Sequence, residues 1–283
     1  MRSASSREAL LAALLLLPVP AQAQEEQAGS SIDSEHIFGF TEGSDIGNKG
    51  EREIESATTG RLGRQGSFSV FTNETSFRYG VEQNFRASIG TLTDYYSVHD
   101  TPGLSNKTGI EFSGVVSEFR WHFLEHDTAP IGLTLSFAPY WRRSNDPAPG
   151  QGESYALPLA LLIDKAFIPG RLYGAINVTV APNFGRLSGR WEAKQPLEIS
   201  AALTAAVDEK IFLGGEVREA ARDQNGFFAG RALLIGPTFY LKLKQDLNFK
   251  LGWSVQVPEA FSGRMDLTNF ERQQFVAQFA YAF

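Results

Sequence analysis

The side chains most able to do chemistry in this chain are its four histidines, His36, His99, His122 and His126. A hydrolase built on a strand would place a serine two positions from such a base, because same-face neighbours bring nucleophile and base within hydrogen-bond reach. The residues at that spacing are Phe38, Thr101, Leu124 and Thr128. None is serine, and His99-Asp-Thr101 runs straight into Pro102-Gly103, a loop. Metal chemistry finds as little support. There is no cysteine, which excludes thiolate sites and disulfides, and no cofactor is implied. Glu125-His126-Asp127 reads as a polar turn. Asp45-Ile-Gly-Asn-Lys-Gly50 imitates a calcium loop but puts Gly47 and Lys49 where oxygen ligands are required. No catalytic residue is expected.

A second group of charges is more informative. Glu111, Glu118, Arg120, Arg142, Asp164, Arg171, Glu198, Glu216, Arg218, Arg231, Lys242, Lys250 and Arg272 recur beside large apolar residues in strict alternation. Leu247, Phe249, Leu251, Trp253, Val255 and Val257 form one face of a strand, and Asn248, Lys250, Gly252, Ser254 and Gln256 the other. The same split separates Leu197, Ile199, Ala201 and Leu203 from Glu198, Ser200, Ala202 and Thr204. It also separates Leu133, Leu135, Phe137 and Trp141 from Thr134, Ser136, Tyr140 and Arg142.

Strands of this kind are predicted over 50–59, 67–80, 85–97, 108–123, 130–143, 153–165, 171–184, 191–207, 210–221, 228–243, 246–257 and 270–283. That is about twelve, with ten or fourteen as alternatives. The segment 50–59 is the weakest, being poor in apolar residues. Segment 108–123 changes phase near Val115-Val116, where a β-bulge would restore the apolar face. Phe137-Ala-Pro-Tyr140, Val180-Ala-Pro-Asn183 and Ile235-Gly-Pro-Thr238 recur loosely, and proline within a sheet marks a bulge or an edge. Connections alternate between short turns and longer loops. So many consecutive strands with one oily and one wet face suit lipid outside and water inside.

The last strand sharpens the reading. Phe275, Ala277, Phe279, Tyr281 and Phe283 share one face, and Gln274, Val276, Gln278 and Ala280 share the other. This segment resembles the terminal strand of bacterial outer-membrane β-barrels. The resemblance implies an all-β, up-and-down antiparallel transmembrane barrel over residues 50–283, with Phe279, Tyr281 and Phe283 as the signal read by the barrel-assembly machinery. It implies outer-membrane lipid around the barrel and both termini in the periplasm. Some barrels of this class are phospholipases using a His-x-Ser pair with an Asn partner, and that pair is missing here.

The start of the chain fits export. Arg2 and Arg7 precede the nine-residue apolar run Ala9 to Leu17, and Ala21-Gln22-Ala23 is a small-x-small cleavage site. The run is too short to cross a bilayer as a helix, which takes about 20 residues. Residues 1–23 are therefore expected to be a signal peptide. Residues 24–49 form a periplasmic segment, either a tether or a partial plug in the barrel mouth with Phe38, Phe40, Glu42 and Asp45 as its contact residues. Phe38-Gly-Phe-Thr-Glu-Gly within it resembles the start of a family of uncharacterised barrel proteins. A net charge of −6 with scattered bases leaves no footprint for nucleic acid. Two functions remain open: a narrow passive channel for small solutes, or a closed structural barrel that binds a lipid or an envelope partner. The mixed signs of the inward charges argue against strong ion selectivity.

Overall fold

Alternation of large apolar with small or polar residues dictates strands, and strands with lipid outside must close on themselves so that no backbone edge is left unpaired. The computed structural model describes residues 33–143, 152–187, 190–224, 227–258 and 263–283. The expected signal peptide and residues 24–32 lie outside the described residues. The strand segments are β1 (Arg52–Leu62), β2 (Ser67–Glu82), β3 (Phe85–His99), β4 (Lys107–Leu124), β5 (Gly132–Phe137), β6 (Tyr140–Arg142), β7 (Glu153–Ala156) and β8 (Leu159–Ile168). They continue as β9 (Leu172–Val180), β10 (Asn183–Leu187), β11 (Arg190–Ala206), β12 (Ile211–Gln224), β13 (Phe227–Lys242), β14 (Leu247–Val257) and β15 (Gln273–Ala282). Every pairing is antiparallel, and β1 pairs with β15 from Glu53–Ala282 to Leu62–Gln273, which closes the barrel. β5 with β6, β7 with β8, and β9 with β10 are single passes interrupted midway, so the barrel has twelve strands.

Prolines cause the interruptions. Pro139, Pro158 and Pro182 sit in the three breaks, and Pro196 lies on the next strand, β11. They stand at one level of the wall: Ala138 N–H donates to the Pro158 carbonyl, Leu157 N–H to Pro182 and Ala181 N–H to Pro196. Each proline removes a ladder donor, so four neighbours in a row loosen the sheet along a line. Pro237, the third member of the recurrence, sits inside an unbroken β13. The expected phase change in β4 is also present. Register shifts between Leu92 and Thr93, which pair with Gly114 and Phe112, so Ser113 is the extra residue. The exposed set accordingly passes from Ile110 and Phe112 to Val115, Trp121 and Phe123.

The two faces separate as the alternation requires. Phe279, Tyr281 and Phe283 are exposed on the outer face of the barrel, whereas Val276, Gln278 and Ala280 are buried inside. Ile199 and Leu203 point out; Ser200, Ala202 and Thr204 point in. The weak first strand follows the rule with a charged inner face: Glu53 and Glu55 are buried inside and Ile54 is exposed outside. Of the aromatics near strand ends, Tyr95, Trp191, Trp253 and Tyr281 face outward, while Tyr96 is buried within.

On the outer face one row reads Tyr95, Phe71, Gly60, Phe275 and Trp253 across β3, β2, β1, β15 and β14. Gly60 is the gap into which the Phe275 ring leans, since a Cβ there would lie 2.0 Å from that ring. The Phe71 ring meets the Phe275 ring at 5.6 Å, tilted by 60°. Because β1 and β15 form the closing seam, Gly60→Val should displace Phe275 and cost about 1–3 kcal/mol. A lower urea midpoint for loss of heat-modifiable gel mobility would register it. An unchanged midpoint would mean the ring does not hold the seam.

Candidate functional site: an occupied lumen

Inside a barrel, inward charges need water or partners. Here the partner is a piece of the chain itself. Residues 33–48 run across the lumen in the half that carries the short turns, touching the wall from β1 round to β14.

The wall poses an electrostatic problem that the segment answers. Arg86 on β3 lies directly opposite Arg120 on β4, and Arg78 on β2 is close by. Like charges facing each other across a ladder are destabilising. Glu35 enters between them. Its Oε2 takes Arg86 Nη1 at 2.5 Å, and its Oε1 takes Arg86 Nη2 at 2.7 Å, Arg78 Nη1 at 2.9 Å and Arg120 Nη1 at 2.7 Å. All four residues are buried. Burial alone would raise the Glu35 pKa, but Arg86, Arg120 and Arg78, joined by His36, hold it well below the usual carboxylate range. Around this centre Glu53 and Glu55 pair with Arg78, and Glu118 and Glu42 with Arg120.

His36 is clasped by Asp33 at 2.5 Å and Glu55 at 3.2 Å. Burial would push its imidazolium toward neutrality, yet Asp33, Glu35 and Glu53 outweigh burial and keep its pKa well above the ordinary histidine value. Ile37 and Phe38 pack into an apolar patch of the wall made by Tyr173, Ala175, Ala202, Phe212 and Tyr240. At Gly39 the chain passes so close to the wall that a Cβ would stand 2.7 Å from Thr238 Cγ2 and 2.9 Å from Glu216 Oε2. Glu216 then accepts the N–H groups of Phe40 and Thr41 at 2.8 and 3.1 Å. Arg218 stacks on the Phe40 ring at 3.6 Å.

Farther along, Asn177 grips the Glu42 backbone at both its N–H and its carbonyl. Asp164 takes the Ser44 N–H at 3.0 Å and the hydroxyls of Ser34 and Ser44. Asp45 caps the bend, accepting the N–H groups of Ile46 and Gly47 at 2.7 and 3.1 Å. Burial and the nearby Asp33 carry its pKa up to about 7 despite the Gly47 N–H.

Of the charges expected inside, Glu118, Arg120, Arg142, Asp164, Glu216, Arg218 and Lys250 do face the lumen, and Glu111, Glu198 and Lys242 line its more open ends. Three do not belong there. Arg171 is exposed in a short turn, because the chain has already reversed at Pro169-Gly170. Arg231 lies between the inward Ala232 and Gly230 level and points outward to Glu219 at 3.7 Å, both more than half exposed. Arg272 precedes β15 and is exposed at the loop end, where Glu271 turns in instead to meet Arg64 at 2.6 Å. Arg78, Arg86, Asp94, Glu53 and Glu55 were missed; the same alternation applied to β1, β2 and β3 would have found them. Glu35 and His36 carry no periodic signal at all. His99 lies apart from the lumen network, its ring 3.0 Å from the Thr108 hydroxyl at the loop end.

Beyond the segment, the loop-end half of the lumen holds a cavity of about 280 Å³. Arg61, Lys194, Arg222, Asn183 and Glu198 line it, with Pro196 of the proline row in its wall.

Glu35→Gln would leave three buried arginines short of a counter-charge, at a cost of about 3–5 kcal/mol to docking of the segment. Residues 33–48 should become protease-sensitive while the barrel keeps its heat-modifiable mobility; equal protection would show that the cage does not hold the segment. A pH effect should accompany this. Docking raises the pKa of Asp45 from 3.8 to about 7, so its contribution is complete below 3.8 and gone once pH passes about 7. His36, also raised, acts in the same direction. Protection of the segment should therefore start to fall near pH 4 and decline through about pH 7, and Asp45→Asn should flatten the fall. A profile rising with pH would contradict both assignments.

Among the solved structures that share the fold are a porin and a channel. The NanC porin is 11% identical and superposes with a TM-score of 0.51 over 81% of this chain and 98% of its own. The COG4313 outer-membrane channel from Pseudomonas putida F1 is 10% identical, with a TM-score of 0.54 over 85% and 98%. No curated protein matches the chain in sequence. The architecture is that of the outer-membrane β-barrels. By a match over residues 30–283, the chain belongs to the family of unknown function DUF6662.

Proposed function

We infer that the protein is a passive outer-membrane channel for small polar solutes, held shut at its short-turn end by residues 33–48. One observation carries this: the wall does not fill its own lumen. A barrel that serves only as a structural post can be filled by side chains projecting from its strands. This wall instead leaves space for a separate stretch of chain, joined to β1 only through residues 49–51, and keeps beyond it a cavity whose lining includes Arg61, Lys194, Arg222 and Glu198. Two solved structures of similar fold are a porin and a channel, and this reading extends that behaviour to the present chain. Short turns belong on the periplasmic side in this class, so the segment would enter from the periplasm and the cavity would face outward. Phe279, Tyr281 and Phe283, outward on the last strand, would in this reading be the signal read by the assembly machinery. Mixed charge along the lumen suits weak selectivity. No enzymatic step is part of this reading.

The second reading, a closed structural barrel, draws on the same arginine cage, since a fully paired network can be permanent. Planar-bilayer conductance separates the two. Gly39→Leu should force the segment off Thr238 and Glu216, and a chain starting at residue 51 lacks it altogether. Both should give larger or more frequent conductance steps than the parent protein. Silence from both, with heat-modifiable mobility proving them folded, would end the channel reading in favour of the closed barrel.

A further inference from the structure

The cavity in the loop-end half of the lumen is charged differently from the half that holds the segment. In the short-turn half Arg78, Arg86 and Arg120 each meet a carboxylate at 2.9 Å or less. The cavity lacks that balance. Arg61, Lys194 and Arg222 line it together with Glu192, Glu198 and Glu271. Two of these acids are already engaged. Glu198 meets Arg218 at 3.4 Å, and Glu271 accepts from Arg64 Nε at 2.8 Å. The third, Glu192, is exposed on β11 two positions before Lys194, and so on the same face.

Arg222 is the residue left over. Among the described residues no carboxylate lies within ion-pair distance of its guanidinium, which instead stands 5.0 Å over the Phe270 ring. A guanidinium held against a ring face keeps N–H donors for an anion. Its position is built by the fold. The pairing of β12 with β13 shifts register between Arg222 and Asp223, and a bulge of this kind re-aims a side chain. Phe270 is only 3% exposed. The turn before it is fixed by Asp266, which accepts the Asn269 N–H at 3.0 Å and its side-chain amide at 2.9 Å.

The bases stand close enough to act on one another. Burial would raise the Glu271 carboxyl, but Arg64, Arg61 and Arg222 together hold it below the usual range. One carboxylate thus serves three guanidinium groups. The surplus is felt at Arg64, where burial, with Arg222 and Arg61 beside it, outweighs Glu271 and lowers its pKa. An added anion would relieve this crowding.

Size narrows the choice of anion. A volume of about 280 Å³ lies just below the range of pockets for drug-sized ligands, which suits a small organic molecule. Ala181, Pro196 and Ala220 offer an apolar side for its carbon skeleton. Arginine takes a carboxylate through paired, charge-assisted N–H···O bonds.

We propose that the loop-end cavity binds a small organic carboxylate, seated on Arg222 and Arg61 with the exposed Lys194 beside them. This names a solute class for the channel inferred above and rests on that reading only for its use. Charge is mixed over the lumen as a whole, but this end favours anions.

The test is equilibrium dialysis of the full chain, refolded in detergent, against radiolabelled succinate, with succinamide as the uncharged competitor and inorganic phosphate as a second anion. Saturable succinate binding is expected, displaced by unlabelled succinate and not by succinamide. Arg222→Gln should weaken it at least tenfold, while Arg231→Gln, on the outer face, should leave it unchanged. Heat-modifiable mobility verifies folding; should Arg222→Gln fail it, Lys194→Gln, at an exposed position, takes its place with a loss of at least threefold. Absence of saturable binding in the parent, equal displacement by succinamide, or full binding in the folded variant would each overturn the proposal. Phosphate displacing succinate more strongly than succinate itself would overturn the carboxylate assignment. No flux is measured, so a negative result leaves the channel reading to be decided by bilayer conductance.

Discussion

Arg86 and Arg120 face one another across β3 and β4, and Arg78 completes a cluster that no barrel would hold without an anion. The wall offers Glu53, Glu55 and Glu118, and Glu35, from outside the wall, supplies the one anion shared by all three arginines. Everything else about the lumen follows from this requirement. The segment must enter far enough to bring Glu35 between the guanidinium groups, which draws His36 to the carboxylates of β1 and lays Phe38 on the aromatic patch of β9, β12 and β13. Replacing a buried ion pair with apolar side chains is often neutral or stabilising, whereas removing one partner is costly. Such a cage therefore defines where the segment sits more than it adds to stability.

The wall is adapted at both levels of the lumen. In the short-turn half it presents hydrogen-bonding side chains to the backbone of the segment: Glu216, Asn177, Asp164 and Thr204 each take or give a main-chain bond. A single buried carboxylate such as Glu216 thereby satisfies two amide donors and stands beside a stacked arginine. In the loop-end half the ladder is loosened by the proline row, and the lumen stays open as a cavity. The two halves therefore differ in filling, one occupied by the chain's own segment and the other holding a cavity.

Alternation made much of this readable in advance. The strands of β11, β14 and β15 declared their faces residue by residue, because lipid outside and water inside impose opposite chemistry on neighbouring side chains. The bulge at Ser113 was legible as a slip of phase. The errors have one cause. Arg231 and Arg272 were assigned by polarity, yet near the loop end both faces meet solvent and polarity no longer reports direction. Arg171 failed at the turn for the same reason. Glu35 was invisible because a loop residue has no period to betray which way it faces.

By itself, then, the sequence determined the architecture: an antiparallel barrel of about twelve passes and the lipid-facing side of its most regular strands. These depend on period-two patterns that each strand carries locally. Only the tertiary structure decided what the lumen contains. Glu35 meets Arg86 and Arg120 across 51 and 85 residues of chain, and Asp164 meets Ser44 across 120. His126 likewise stands beside Asp164 only because β4 and β8 flank the same short strand. Such partnerships are set by closure of the barrel, which brings distant inward faces to one axis, and no local pattern records them.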